Sequence, residues 1–430
     1  RHTRSPGDWS SDVCSSDLPS VKDVEKAEEI LGEILEPTPI VKNPNLSEKY
    51  EAEIFLKRED LQMVRSYKIR GAYNKIRSIS PETLKYGIVC ASAGNHAQGV
   101  AFSCNRLNIM GSIYMPTTTP KQKINQVRMF GKGNIDIVLT GDTFDAANKA
   151  AIEYAKKTGK TFIPPFDDPK IIEGQGSIGY EIAQQVKAPL DYLFIPIGGG
   201  GLASGVGAYI KQVWPDTKLI GVEPAGAACM KTAIEKGEVV ELENIDKFVD
   251  GAAVKKAGSY TFEVCRKVLD DIIAVPEGAV CTSIIDMYNK SAIVVEPAGA
   301  LSVAALRFYA DKIKGKRVGC IVSGSNNDIT RTEEIREKSM LYEGLKHYFM
   351  VTFPQRSGAI LSFIRDVIGP TDDLVHIQYI KKTNKEEGPA LIGIEVASKE
   401  DYQALINRMK ANNINYEYIN ENNKLFEILI

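Results

Sequence analysis

From Glu53 to about Cys320 the chain alternates short, largely β-branched apolar runs with longer segments of helical spacing. The strand candidates are Ile88–Ala91, Gly111–Met115, Ile135–Leu139, Tyr192–Ile197, Lys218–Val222 and Arg317–Val322. Strands separated by helices of about 10–15 residues form βαβ units and a mostly parallel sheet, covered on both faces. The pattern predicts an α/β fold, and it places functional loops where strands end and helices begin.

Near residue 340 the pattern changes. Strands are predicted over Tyr348–Phe353, His376–Tyr379, Ala390–Val396, Tyr416–Ile419 and Leu425–Ile430, with helices over Ile360–Ile368 and Lys399–Met409. The order β-α-β-β-α-β, with the Leu425–Ile430 strand following it, is that of a ferredoxin-like α+β module. Three regions follow: a non-native or disordered leader over 1–18, a catalytic region over 19–343 with a small subdomain at roughly 56–160, and a C-terminal module over 344–430. The leader has neither a structural period nor an apolar signal segment, so Cys14 and His2 are set aside.

Charge narrows the function. Lys plus Arg number 53 and Asp plus Glu 55, a net charge of −2 without the basic excess of a nucleic-acid binder. No apolar run is long enough to span a bilayer. The seven cysteines are scattered, with no C-x-x-C pair, which fits a reducing cytoplasm rather than a disulfide framework or thiolate zinc site. No metal site is expected from the four histidines either. The predicted partner is a small molecule.

Four motifs carry chemistry. Ser66-Tyr67-Lys68-Ile69-Arg70-Gly71-Ala72 contains a lysine that, in a desolvated pocket, becomes an amine nucleophile; exposed, it is a surface side chain. Ala91-Ser92-Ala93-Gly94-Asn95-His96 follows a buried strand and forms a turn suited to a carboxylate or phosphate, or simply a tight connection capped by Asn95. Gly198-Gly199-Gly200-Gly201-Leu202 also follows a strand; four glycines are costly in backbone entropy, and their unhindered N–H groups suit a phosphate. A looser dinucleotide pattern, Gly199, Gly201 and Gly205 with Glu223 as the ribose acid, competes with that reading. Ser323-Gly324-Ser325-Asn326-Asn327 ends the last strand, with Glu296-Pro297-Ala298-Gly299-Ala300 before it. A phosphate cradle, an amine, an anion-binding turn and a hydroxyl at strand ends together make the parts of a pyridoxal phosphate site.

In this order the motifs resemble fold type II pyridoxal phosphate enzymes, and among them the threonine dehydratases, over roughly residues 20–330. Residues 344–430 resemble the ACT-like regulatory domain of the short biosynthetic form; Ser357 stands where that family usually has proline. The resemblance implies two α/β subdomains and pyridoxal 5'-phosphate carried on Lys68, whose amine then takes the substrate's α-proton. It also implies that Asn95 hydrogen-bonds the cofactor's phenolic oxygen. Gly198, Gly199, Gly200, Gly201 and Leu202 would bind its phosphate, and Ser323 would face its pyridine nitrogen. Ser92, Ala93, Gly94, Asn95 and His96 would receive the substrate carboxylate. The implied reaction is deamination of L-threonine, with L-serine also accepted, to a 2-oxo acid and ammonia at the start of isoleucine biosynthesis. Isoleucine, and valine as a second candidate, are the implied effectors, and a cytoplasmic homotetramer is the implied assembly. The alternatives are a catabolic serine/threonine dehydratase or racemase, a nucleotide-dependent oxidoreductase, and a non-catalytic amino-acid sensor. A cation at Glu223 is a further family feature, put in doubt by Ala227 and Cys229, which follow where another acid is expected.

Overall fold

The computed structural model describes residues 18–381, 385–421 and Phe426. The leader, apart from Leu18, and the strand expected over 425–430, apart from Phe426, lie outside the described residues. In chain order the first ten strands are β1 (Ile40–Lys42), β2 (Glu53–Arg58), β3 (Ile88–Ala91), β4 (Gly111–Met115), β5 (Ile135–Leu139), β6 (Thr161–Phe162), β7 (Tyr192–Pro196), β8 (Lys218–Pro224), β9 (Asp271–Val275) and β10 (Arg317–Val322). The last four are β11 (Lys346–Pro354), β12 (Asp373–Tyr379), β13 (Glu387–Glu395) and β14 (Asn415–Tyr418).

The chain divides into two compact units between Asp328 and Ile329. The first holds two sheets. One has strand order β1-β2-β10-β7-β8-β9 and is parallel apart from the antiparallel pair β1 and β2. The other, β5-β4-β3-β6, is wholly parallel. This is the α/β architecture expected from the strand and helix alternation. The second unit is an antiparallel sheet of order β12-β13-β11-β14, with helices Ala359–Val367 and Lys399–Ala411 between its strands. Its β-α-β-β-α-β order is the predicted one. Helix Thr332–Glu343 is tied to this sheet by Lys346–Glu337 and Arg336–Glu395 ion pairs.

In the first unit, helix Pro169–Gln185 is the common support. It starts at Asp168, whose carboxylate accepts the N–H groups of Lys170 and Ile171 at 2.8 and 3.2 Å, with Pro169 set at the first helical position. Helix Gly201–Val213 packs on it at backbone distance: a Cβ at Gly205 would lie 2.2 Å from the Ile172 carbonyl oxygen. Gly205, offered by the dinucleotide alternative as a ligand-binding glycine, is therefore a helix-packing glycine.

Helix Lys68–Arg77 reaches the same support through charge. Arg70, fully buried, forks onto Glu59 (Nε–Oε2 2.8 Å, Nη2–Oε1 2.9 Å) and reaches Glu181 at 2.6 Å and the Ser177 hydroxyl at 2.9 Å. Lys57, equally buried, pairs with Glu181 and donates to the Thr38 carbonyl at 2.6 Å. Two cations and two carboxylates thus neutralise one another where unpaired charge is most costly. Glu28 stands at the edge, 3.9 Å from Arg70, and burial, reinforced by Glu181, pushes its carboxyl up to about 7.

Removal of one partner strands the others. Arg70→Ala is expected to cost about 3–5 kcal/mol in denaturant unfolding, as for a broken buried ion pair; Arg70→Lys, which keeps the charge without the fork, recovers only part. Glu28 supplies a pH test. Its folded pKa, about 7, exceeds its ordinary 4.5, so the folded chain binds the extra proton between these values and Glu28's contribution falls as pH rises through them. Glu28→Gln should therefore gain stability relative to the parent chain between pH 5 and pH 8, by about 1–2 kcal/mol; an unchanged difference would place Glu28 outside the balance.

Candidate active site

The four-glycine run leaves β7 and enters helix Gly201–Val213. Gly200 has φ +96°, a left-handed conformation that side chains disfavour. A Cβ at Gly199 would lie 2.4 Å from ring atoms of Phe166, so nothing larger fits beneath the loop. The first N–H groups of the helix have no intrahelical acceptor and carry the positive end of its dipole. Such a turn binds an anion through backbone alone.

Lys68 begins its helix. Its ammonium is part-buried and donates to the Pro165 carbonyl at 2.8 Å. Loss of hydration pulls it down to about 8, while nearby Glu296 acts in the opposite sense. A lowered value brings the deprotonated amine, the form that acts as base or nucleophile, closer to neutral pH than in an exposed lysine. Pro165 precedes Phe166, the residue against Gly199. The amine and the glycine loop therefore rest on consecutive residues of one segment, Ile163–Asp168.

The turn Ser92–Asn95 is partly accessible and leads into helix Asn95–Leu107. The Ser92 hydroxyl accepts the Gly94 N–H at 3.2 Å. Asn95 is fixed at both ends of its amide: Nδ2 donates to Glu296 Oε1 at 2.6 Å, and Oδ1 accepts from Asn326 Nδ2 at 2.7 Å. His96 turns away. It is buried with Nε2 3.0 Å from the Ile163 carbonyl, and burial, aided by Lys68, drives it down to about 3, so it stays neutral. Only its backbone is available to a carboxylate at the turn. Ser323 is buried beside Lys68's segment: its carbonyl accepts the Tyr67 N–H at 3.1 Å, and its hydroxyl donates to the Ala298 carbonyl at 3.2 Å.

Several site residues were not foreseen. Glu296 appeared in a motif without a role; it is buried against Asn95, and desolvation, then Asp250, lifts it to about 8. Asn326 orients the Asn95 amide. Segment Ile163–Asp168 touches His96, Lys68 and the glycine loop, and no motif announced it; a proline pair after a two-residue strand was its only sequence signal. Glu223, offered as a ribose acid or cation ligand, has both carboxylate oxygens occupied by the Met230 and Lys231 N–H groups at 2.8 Å.

The residues fit pyridoxal phosphate. The glycine loop is a cradle from which a side chain would be excluded, and a partly dehydrated amine stands on the adjoining segment. Polar atoms near the amine and Asn95, Ser66 Oγ and Asn326 Oδ1, are buried without a partner among the described residues. Glu296 also sets a testable electrostatic balance. Its ionised form strengthens Lys68's hold on its proton, so Glu296→Gln should move Lys68 further below about 8. The pH profile of Lys68 acylation by acetic anhydride, read by peptide mapping, reports this; an upward shift would contradict it.

Comparison with known proteins agrees with this geometry. Residues 32–324 match the family described as pyridoxal-phosphate dependent enzyme, and residues 337–429 match the C-terminal regulatory domain of threonine dehydratase. The biosynthetic L-threonine dehydratase IlvA of Halalkalibacterium halodurans is 56% identical over 410 residues, covering 95% of this chain and 99% of that one. The Bacillus subtilis protein of the same name is 55% identical over 413 residues, covering 96% and 98%. A solved structure of threonine deaminase isoform 2 from Solanum lycopersicum, in its processed form, is 40% identical with a TM-score of 0.71, covering 79% of this chain and 99% of its own. The chain belongs to the pyridoxal-phosphate dependent enzymes, as a member of the threonine dehydratase family with that family's C-terminal regulatory domain.

Proposed function

We propose that this chain eliminates the β-hydroxyl of L-threonine and releases 2-oxobutanoate and ammonia, the biosynthetic reaction named for its relatives. The observation that carries the reading is the placement of Lys68, held near pKa 8 on the segment that also supports the glycine loop. Pyridoxal phosphate, when bound, supplies an electron sink that acidifies the α-C–H of an amino acid joined to it.

The remaining tasks belong to the chain. The N–H groups of Gly198 to Leu202 would bind the phosphate, and the Asn95 amide, fixed by Glu296 and Asn326, would direct Nδ2 at the phenolic oxygen. Ser323, its hydroxyl hydrogen turned from the Ala298 carbonyl, would offer a neutral donor to the pyridine nitrogen. A hydroxyl would not stabilise a protonated ring as a carboxylate would, and this would favour loss of the β-hydroxyl. The backbone of Ser92 to His96 would receive the substrate carboxylate. Lys68's amine would take the α-proton. Breaking the Cα–H and Cβ–O bonds would release the hydroxyl as water, with one proton delivered to the leaving oxygen for the one Lys68 removes; the resulting enamine would tautomerise and take up one water to give 2-oxobutanoate and ammonia. Serine lacks only threonine's methyl, worth about 1–3 kcal/mol in a pocket, so L-serine is a second substrate.

The regulatory domain supports end-product control by isoleucine, with valine as a second ligand. An effector inhibits only by binding a low-activity state more tightly than the active one. We retain 19–343 as the catalytic region, 344–430 as the regulatory one, and a homotetramer as the assembly. Among the described residues six cysteines are free and buried, which supports a cytoplasmic setting, and no helix is long and apolar enough to cross a membrane.

Assay of 2-oxobutanoate from L-threonine tests the reaction. Lys68→Ala should lose at least about 10²–10⁴-fold in turnover, the range of a removed general base, with its unfolding transition retained. Full turnover in that variant would remove Lys68 from the chemistry. A cofactor-loaded chain ending near Tyr342 should keep deamination and lose isoleucine inhibition; undiminished inhibition would move the effector site out of 344–430.

A further inference from the structure

The glycine loop is held from behind, one carbonyl at a time. The Thr261 hydroxyl donates to the Gly199 carbonyl at 2.6 Å. The Cys229 thiol reaches the Gly198 carbonyl at 3.6 Å, and the Cys265 thiol the Gly200 carbonyl at 3.7 Å. In a trans peptide the C=O of one residue and the N–H of the next point in opposite directions. Holding the carbonyls of Gly198, Gly199 and Gly200 in the protein therefore sends the N–H groups of Gly199, Gly200 and Gly201 to the other side. That side is the one a phosphate would occupy.

Thr261 is the strongest of the three. Thiols are weak donors, whereas the hydroxyl contact is short and fully buried. Its single hydrogen has a second acceptor, the Gly258 carbonyl, only at 3.2 Å. Without it the Gly199 carbonyl keeps the Gly258 N–H at 3.4 Å. Thr261 is itself pinned. Asp167 accepts the N–H groups of Ser259, Tyr260 and Thr261, each at 3.0 Å, at the start of helix Ser259–Val268. Asp167 follows Phe166 beneath Gly199 and Pro165 beside Lys68.

We infer that Thr261 is a positioning residue for the cofactor phosphate: its hydroxyl, backed by Cys229 and Cys265, fixes the peptide orientation of the glycine loop so that its N–H groups converge on the anion. The inference rests on the cofactor reading above. It differs from a merely structural role because it concerns the phosphate alone and not the rest of the ligand.

The test uses the full-length chain freed of cofactor and titrated by equilibrium dialysis with pyridoxal phosphate and with pyridoxal, which lacks the phosphate. Thr261→Val keeps the shape and removes the donor. It should weaken pyridoxal phosphate binding about tenfold, the size of one lost hydrogen bond to a loop carrying an anion, and pyridoxal binding less than about twofold. Thr261→Ser, which restores the hydroxyl, should return pyridoxal phosphate binding to within about threefold of the parent. Equal weakening of both ligands, no weakening of either, or a serine variant as impaired as valine would overturn the role. Should Thr261→Val not fold, Thr261→Ala is judged against Thr261→Ser by the same ratio. A parent chain that prefers neither ligand contradicts the cofactor reading and this inference together, whereas a preference undiminished in Thr261→Val contradicts the inference alone.

Discussion

The site depends on a buried charge cluster that touches no ligand. Lys68 is placed by its helix, and the helix is placed by Arg70, two residues on, whose guanidinium is divided between Glu59 after β2 and Glu181 on the central helix. Lys57 on β2 completes the set by pairing with Glu181. Charges in a dry interior tolerate only the arrangement that neutralises all of them. A hydrophobic contact could slide by a fraction of an ångström at little cost; a forked guanidinium with each carboxylate committed elsewhere cannot. Precision at the amine is thereby obtained from residues outside the reaction.

The second constraint is the segment Ile163–Asp168, through which the parts of the site are brought to one place. Its carbonyls meet His96 and Lys68, its Phe166 ring fills the space beneath Gly199, and its two aspartates start the helices Ser259–Val268 and Pro169–Gln185. It connects the end of the β5-β4-β3-β6 sheet to the helix supporting both Lys68 and the glycine loop. A shift of this one segment would disturb amine, phosphate cradle and loop backing together, which is how a small displacement can be costly in rate.

Much of this was legible in the sequence, for identifiable reasons. Strands such as Gly111–Met115, Ile135–Leu139 and Arg317–Val322 were found at their observed bounds because β-branched runs between helical segments leave little ambiguity. Lys68 stood out in its own motif, and Asn95, the four glycines and Ser323 in motifs at strand ends; the structure brings their segments together. The strands β1 and β6, three and two residues long, carry too little pattern to detect. Charge was the larger obstacle. Nothing in residue type distinguishes Lys57, Arg70, Glu59 and Glu181 from exposed charges, and the unusual protonation of Glu28 and Glu296 follows from burial rather than from residue type. His96 shows the converse: its neighbours are the expected ones, but its ring is spent on a backbone carbonyl.

The central claim is that Lys68 is the amine that carries the cofactor. Its most direct test is reduction of the cofactor-loaded full-length chain with borohydride, followed by proteolysis and mass mapping of the pyridoxyl group. The account predicts one stoichiometric label, on the peptide containing Lys68, and none on Lys57, which lies on β2 in the buried charge cluster. A label on any other lysine, or a chain that takes up pyridoxal phosphate without a reducible link, would contradict it.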